Sequence, residues 1–420
     1  MRRDSGTGCL LPAVSCQLIA AFLLLALPVQ AQAPDPSRSA TARVGPLALR
    51  PALSITNAGV DTNIFNETDD EDPKSDWTLS VGPASDFWLK LGRARLSGRA
   101  AVTYDWFATY ASQRSLGTAD RVRLELPLTK IRPYVGGSYL TLRDRPGYEI
   151  DVRVRHSEEG LNGGVEFPIS RRTTFGVGWE RTVTRFDADA TFDGSWLRQV
   201  LNRRESVVTA SARYKVTPLT TVTLEGEVGR ERFQFSPGRE ANSLRVLPGV
   251  EFDALFRGTA KVGYRRLRML RPGMPDFSGA VASVDLNYTL LGATRFTVGV
   301  TRDIEYSYWV DQPFYVLTGA SFSVTQAVGG PWALVARTGL QRLAYRSVAA
   351  LSVSPEPAEV PAQAKADRID QVTLFGGGLS YKLGPSVRLG LDANYYTRSS
   401  DYDYRDYRGL RAGTSVTYGF

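Results

Sequence analysis

The sequence predicts an all-β fold, a transmembrane up-and-down antiparallel β-barrel of about 18 strands with short periplasmic turns and long extracellular loops. Three observations carry that expectation. Apolar and polar residues alternate with period two over stretches of 10–16 residues, which marks strands rather than helices. The connections between those stretches alternate between tight turns and long polar loops. The polar faces are charged, and charged faces suit a wet lumen better than a dry core.

The N-terminus reads as a targeting segment. Arg2 and Arg3 precede the apolar run "QLIAAFLLLALPV", and "VQA" and "AQA" follow as small-x-small sites. The pattern predicts a signal peptide over residues 1–31, removed on export through the Sec pathway. Its apolar run is shorter than the roughly 20 residues that a membrane-spanning helix needs. Cys9 and Cys16, the two cysteines of the chain, both lie in that segment. The expected mature chain therefore has no disulfide, thiol catalyst or cysteine metal ligand. Residues 32–46 read as a polar periplasmic linker and residues 47–420 as the barrel.

Alternation is explicit along the barrel region. "ARLSGRAAVTYDW" sets Leu96, Val102, Tyr104 and Trp106 against Arg95, Arg99 and Asp105. "TTVTLEGEVG" sets Val222, Leu224 and Val228 against Glu225 and Glu227, and "SVRLGLDANYYTR" sets Leu389, Leu391 and Tyr395 against Arg388 and Asp392. Tight turns recur at "KLGR", "LTKIRP", "PISRR", "VTPLT", "LFRG", "LLGAT", "VGGP" and "LGPS". Eight such turns and nine long polar loops separate about 18 strands. A hairpin period of about 40 residues is also that of a propeller blade. A blade needs four strands in that length, whereas each period here holds two long ones. A closed barrel satisfies every backbone group in hydrocarbon, which an open sheet edge cannot do. Aromatic residues near strand ends, among them Trp77, Trp88, Tyr104, Trp106, Trp179, Tyr214, Tyr288, Trp332, Tyr395 and Tyr418, suit the membrane interfaces.

The net charge of +8 is spread through alternating acidic and basic residues, so no nucleic-acid partner is expected. An arginine on the lipid face near midplane costs about 2–4 kcal/mol, so the strand charges are expected to face inward. Arg95, Arg99, Asp105, Lys261, Arg265, Arg337, Arg388 and Arg411 are the candidate lumen or solute contacts. The bland alternative is that wall charges pair with one another. No cofactor and no metal site is expected. The run Asp69, Asp70, Glu71, Asp72 offers oxygen ligands of the kind calcium takes, but without the glycine and spacing of an EF-hand loop. The chain has one histidine, His156. Ser157 beside it should point to the opposite face of the strand, so no enzyme is expected.

The ending "GTSVTYGF" puts Val416, Tyr418 and Phe420 on one face of a last strand that must pair with the first, near "LALRPALSI". These three residues resemble the C-terminal signal read by the barrel-assembly machinery of Gram-negative outer membranes. Thr414 and Ala412 weaken the apolar series, and Ser415 stands where glycine is common. "GVDTNIFN" at residues 59–66 resembles the element near the start of the putative beta-barrel porin 2 family. That resemblance implies an outer-membrane barrel that often accompanies exopolysaccharide systems. The expected function is a channel for polar solutes or for export of an exopolysaccharide. The alternative is a non-conducting structural or surface-interaction barrel with a plugged lumen, and an outer-membrane hydrolase ranks third. Expected partners are outer-membrane lipid and lipopolysaccharide, the barrel-assembly machinery and, for export, periplasmic polysaccharide-export components.

Overall fold

A computed structural model describes residues 36–348 and 368–419. The expected signal peptide, the terminal Phe420 and most of the loop over 347–367 lie outside the described residues. Eighteen long strands run in chain order. The first six are β1 (Leu47–Asp61), β2 (Asp76–Leu91), β3 (Ala94–Phe107), β4 (Ser115–Glu125), β5 (Arg132–Asp144) and β6 (Val154–Pro168). The next six are β7 (Thr173–Phe186), β8 (Arg203–Thr217), β9 (Thr220–Phe233), β10 (Ala241–Asp253), β11 (Phe256–Met269) and β12 (Phe277–Leu290). The last six are β13 (Thr294–Tyr306), β14 (Phe314–Gly329), β15 (Trp332–Arg346), β16 (Ile369–Leu383), β17 (Val387–Ser400) and β18 (Tyr407–Tyr418). Each pairs antiparallel with its chain neighbours. The eight tight turns fall where the sequence places them, at the periplasmic end.

The ring closes between β1 and β18, with Leu53 opposite Tyr418, Ile55 opposite Val416 and Asp61 opposite Arg411. The register shifts between Ile55 and Ala58. Asn57 sits in that bulge at φ 53°, a conformation that asparagine tolerates better than most residues. Ahead of β1, Ala42–Val44 folds back as a short strand against Leu47–Leu49, within the stretch read from sequence as linker.

The outer wall is apolar. Val122, Leu161, Val177, Val208, Val228, Leu244, Val262 and Leu391 are all exposed there, as a lipid-facing barrel requires. An aromatic row marks the periplasmic rim, where Phe256, Tyr288, Phe296 and Phe322 follow one another at 4.9, 6.2 and 6.2 Å between ring centroids. Trp88 departs from the expected girdle. It shares the face of Asp86 on β2, and the Arg50 guanidinium lies 5.8 Å from its ring, so it belongs to the lumen.

The extracellular mouth is filled by protein. The β12–β13 ladder stops at Ala282–Arg302, while β13 and β14 stay paired up to Tyr306–Phe314. The tip of that hairpin therefore bends into the barrel. Its outward-register residues Ile304, Phe314 and Val316 are buried against Leu267, Met269, Phe277 and Val281 on the inner faces of β11 and β12. Burying each large apolar side chain is worth about 1.5–3 kcal/mol, which holds the bend. The loop between β7 and β8, with its short helix α1 (Leu197–Leu201), also turns inward. Leu197 and Leu201 pack with Phe186, Val154, Ile150 and Tyr308.

Candidate functional site

The lumen wall is laced with cross-strand ion pairs. Arg50 and Arg99 converge on Asp86 at 2.7 and 3.2 Å. Lys261 meets Glu225 at 2.8 Å, and Arg213 meets Glu251 at 2.5 Å. Arg265 bridges Asp303 at 2.7 Å and Glu231 at 3.0 Å, and Arg245 joins the same Asp303 at 2.9 Å. Arg337 pairs with Asp392. Arg411 donates to Asp61 at 2.6 Å and lies 4.5 Å from the Tyr396 ring. Asp105 accepts from Arg153 and Ser80, both at 2.7 Å. Arg388 lines the periplasmic end and is engaged by a neighbour.

Of the eight candidates, Arg95 stands apart. It is exposed to the lumen and makes no ion pair among the described residues. Arg121 on β4 shares that character and lies directly opposite Arg99 in the ladder. Arg95, Arg99 and Arg121 thus form a basic strip on β3 and β4, answered by Asp86 beside Arg99 and by Glu125 opposite Arg95 in the ladder. Lys261, Arg265 and Arg337 are instead committed to wall carboxylates, and each such cross-strand pair is worth about 0.2–1 kcal/mol to the sheet.

The most heavily constructed feature is one that the sequence reading passed over. The loop over residues 145–153, between β5 and β6, crosses the lumen and is fastened on the far side. Arg145 donates to the carbonyls of Ile64 and Asp151. Arg398 on β17 donates to the Tyr148 carbonyl at 2.8 Å and to Asp151 at 3.0 and 3.1 Å. Arg405 reaches the same carboxylate at 2.8 Å and the Glu149 carbonyl. The Glu149 carboxylate accepts from Ser307 Oγ at 2.6 Å and from the Tyr308 amide at 3.0 Å. Arg398 also binds Asp370, which Arg368 and Ser400 hold from the other side. Tyr148 packs on the Tyr315–Leu317 and Leu343–Tyr345 patch.

The charges of this latch balance. Apart from Arg145, which donates only to carbonyls, three guanidinium groups, Arg368, Arg398 and Arg405, face three carboxylates, Glu149, Asp151 and Asp370, and all six residues are under a tenth exposed. Desolvating so many charges is expensive and is offset only by complete pairing. Burial pushes the Glu149 carboxyl above its ordinary range, against the pull of Ser307 and Arg405. Burial works against the Arg405 charge too, but Asp151 outweighs it and holds the guanidinium above its usual value.

Two further contacts make the closure rigid. Arg239, in the loop between β9 and β10, is 1 % exposed. It donates to the carbonyls of Val200, Ser307 and Pro313, tying the bent hairpin to the helix-bearing loop. Burial pushes its guanidinium down to about 10. The "GVDTNIFN" element secures the seam beneath the latch. Asp61 accepts from Arg411 and from the Tyr396 hydroxyl at 2.6 and 2.8 Å. The fully buried Asn63 amide donates to the carbonyls of Glu67 and Arg408.

The acidic run disperses. Asp69 pairs with Arg408 at 2.8 Å and Asp72 with Lys74 at 3.1 Å. Among the described residues no three acidic or histidine side chains converge as a metal site. His156 faces the lumen with its Nδ1 3.3 Å from Asp144, stacked on Phe186 at 5.6 Å. Ser157 occupies the opposite strand face. At the C-terminus Val416 and Tyr418 are exposed on the lipid side and Thr417 is buried toward the lumen.

A closed, lipid-faced barrel with a charged lumen and an internally crossed mouth defines an outer-membrane β-barrel porin. Residues 35–420 match the model of the family described as Putative beta-barrel porin 2, and the chain belongs to that family. No curated protein matches the chain. Solved structures of similar shape include the outer membrane protein opdK of Pseudomonas aeruginosa, at 11% identity and a TM-score of 0.47, covering 88% of this chain and 98% of that one. OccAB4 of Acinetobacter baumannii aligns at 12% identity and 0.46, over 91% and 99%. A BenF-like porin from Pseudomonas fluorescens Pf-5 aligns at 12% and 0.46, over 88% and 98%.

Proposed function

We propose that the protein is a gated channel for small polar solutes with a preference for anions, opened by release of the loop over 145–153. One observation carries the reading. Six buried charges gather where a single loop is fastened across the mouth, and a buried charge network is weak evidence of stability, its best-attested use being register or switching. Below the latch, the basic strip of Arg95, Arg99 and Arg121 supplies the field that would favour anions. Single-channel recording in planar bilayers tests the proposal. Infrequent, anion-selective openings are expected from the native chain, and frequent ones after removal of residues 146–152. Silence from both would overturn the channel and favour the non-conducting barrel.

A second reading, export of a secreted polysaccharide, draws on a different feature. Trp309, Tyr402 and Tyr404 form an aromatic run at the mouth, with ring centroids 5.5 and 5.6 Å apart. Arg368 lies over Trp309 and Tyr402. Such a platform suits the apolar faces of sugar rings. Surface polysaccharide measured in a deletion strain tests this version, and unchanged export would remove it.

A further inference from the structure

The outer face of β7 to β11 carries a cluster of arginines that neither the lumen nor the latch uses. Strand parity puts Arg181, Arg204, Arg230, Arg232, Arg266 and Arg268 on the lipid-facing side. Trp179, Val208, Val228 and Tyr264 are exposed on that same face. Register draws the cluster together. Arg181 faces Ser206, which faces Arg230 on its other side. Arg204 lies opposite Arg232, and Arg230 opposite Asn242. Asn242 and Leu244 lie opposite Arg268 and Arg266.

The height of the cluster is specific. Arg204, Arg230, Arg232, Arg266 and Arg268 each stand one or two outward positions beyond the last apolar residue of their strands, toward the long-loop end, while Arg181 sits between Trp179 and Val183; successive outward positions are about 7 Å apart. The guanidinium groups of the first five therefore stand just above the apolar band, where the headgroups of the outer leaflet begin. Arg232 is partly committed, to the Ala241 carbonyl at 3.0 Å and to Glu240 at 3.5 Å. Arg181, Arg204, Arg230, Arg266 and Arg268 have no hydrogen-bonded or ion-paired partner among the described residues. On the flank the like-placed Arg185 is neutralised by Glu159, while the outward-facing Arg143 and Arg155, opposite each other on β5 and β6, extend the basic surface beyond this sector.

We propose that this sector is a binding site for the phosphorylated glycolipid of the outer leaflet, with the arginine forks holding its phosphates and the apolar band below holding its acyl chains. Planar guanidinium groups bind phosphate bidentately, and several converging on one site match a multiply charged headgroup. A cluster of five unpaired cations would otherwise repel itself. The site does not depend on which solute crosses the lumen.

The test uses full-length protein in detergent micelles, with lipid A as probe and native mass spectrometry as readout. Diphosphoryl lipid A should be retained by the native barrel at least tenfold better than dephosphorylated lipid A or phosphatidylethanolamine. Millimolar inorganic phosphate should not displace it. The triple variant Arg204→Glu, Arg230→Glu, Arg268→Glu should lose retention at least tenfold while keeping the heat-modifiable mobility of a folded barrel. A lumen variant, Arg95→Glu, should retain lipid like the native chain. Equal retention of phosphorylated and dephosphorylated lipid would overturn the proposal, as would equal retention by native and triple-variant barrels. If the triple variant does not fold, Arg204→Gln with Arg268→Gln replaces it under the same criteria.

Discussion

Arg398 is the residue on which the latch can be tested most sharply. It is 2 % exposed and joins the crossing loop to the wall through Asp151 on one side and Asp370 on the other. Arg398→Met keeps much of the volume and removes the charge. Three carboxylates would then face two guanidinium groups. Removing one partner of a buried ion pair costs about 3–5 kcal/mol. Arg405 still holds Asp151 at 2.8 Å, and Arg368 still holds Asp370, so the lower end applies. A loss of about 3 kcal/mol shifts the latched-to-released ratio roughly 100-fold, since each 1.4 kcal/mol is tenfold. A channel closed 99 parts in 100 would become open about half the time. Planar-bilayer recording of open probability reads this directly, with the chain lacking residues 146–152 as the fully open reference. A folded Arg398→Met barrel with the native open probability would falsify the latch.

Three further outcomes follow from the same geometry. Because burial raises the folded-state pKa of Glu149, the latched form binds a proton more readily than the released one. Its extra stability is complete below the ordinary carboxyl value and is lost as pH rises through the raised one. Open probability should accordingly fall on acidification, and Glu149→Gln should flatten that dependence; a native chain whose open probability ignores pH would refute it. Replacing both Arg95 and Arg121 with Glu should move the reversal potential in a salt gradient toward cation selectivity. The folded yield should change little, because neither residue makes an ion pair among the described residues and a like-charge pair opposite Glu125 costs only a fraction of a kcal/mol, and an unchanged reversal potential would show that the strip does not set selectivity. Deleting residues 416–420 should abolish heat-modifiable barrel in outer-membrane fractions, since it removes the Leu53–Tyr418 and Ile55–Val416 closing pairs; normal insertion would count against an assembly role for Val416, Tyr418 and Phe420.

Local chemistry was enough to set the wall. Period-two alternation decides which face of each strand meets lipid, because a one-residue slip would turn every apolar side chain inward. The sequence alone therefore placed Arg99, Lys261 and Arg411 inside, Val228 and Leu391 outside, and the tight turns at one end. It also determined that β1 and β18 must meet, because a barrel has no free edge. The partners of those charges were another matter. The parity that turned Arg388 and Asp392 inward also turned Arg398 inward, yet its acceptor Asp151 lies 247 residues away in the chain. No pattern within a strand reports that distance. The bend of the β13–β14 tip was equally hidden, since Ile304, Phe314 and Val316 read as ordinary lipid-facing residues until the ladder to β12 ends at Arg302. Sequence settled the barrel because a strand's two faces are fixed by its own residues. Only the tertiary structure decided whether its mouth is crossed, because Glu149 and Asp151 can be buried only where the β5–β6 loop meets Arg368, Arg398 and Arg405, which the distant β16–β18 side of the ring supplies.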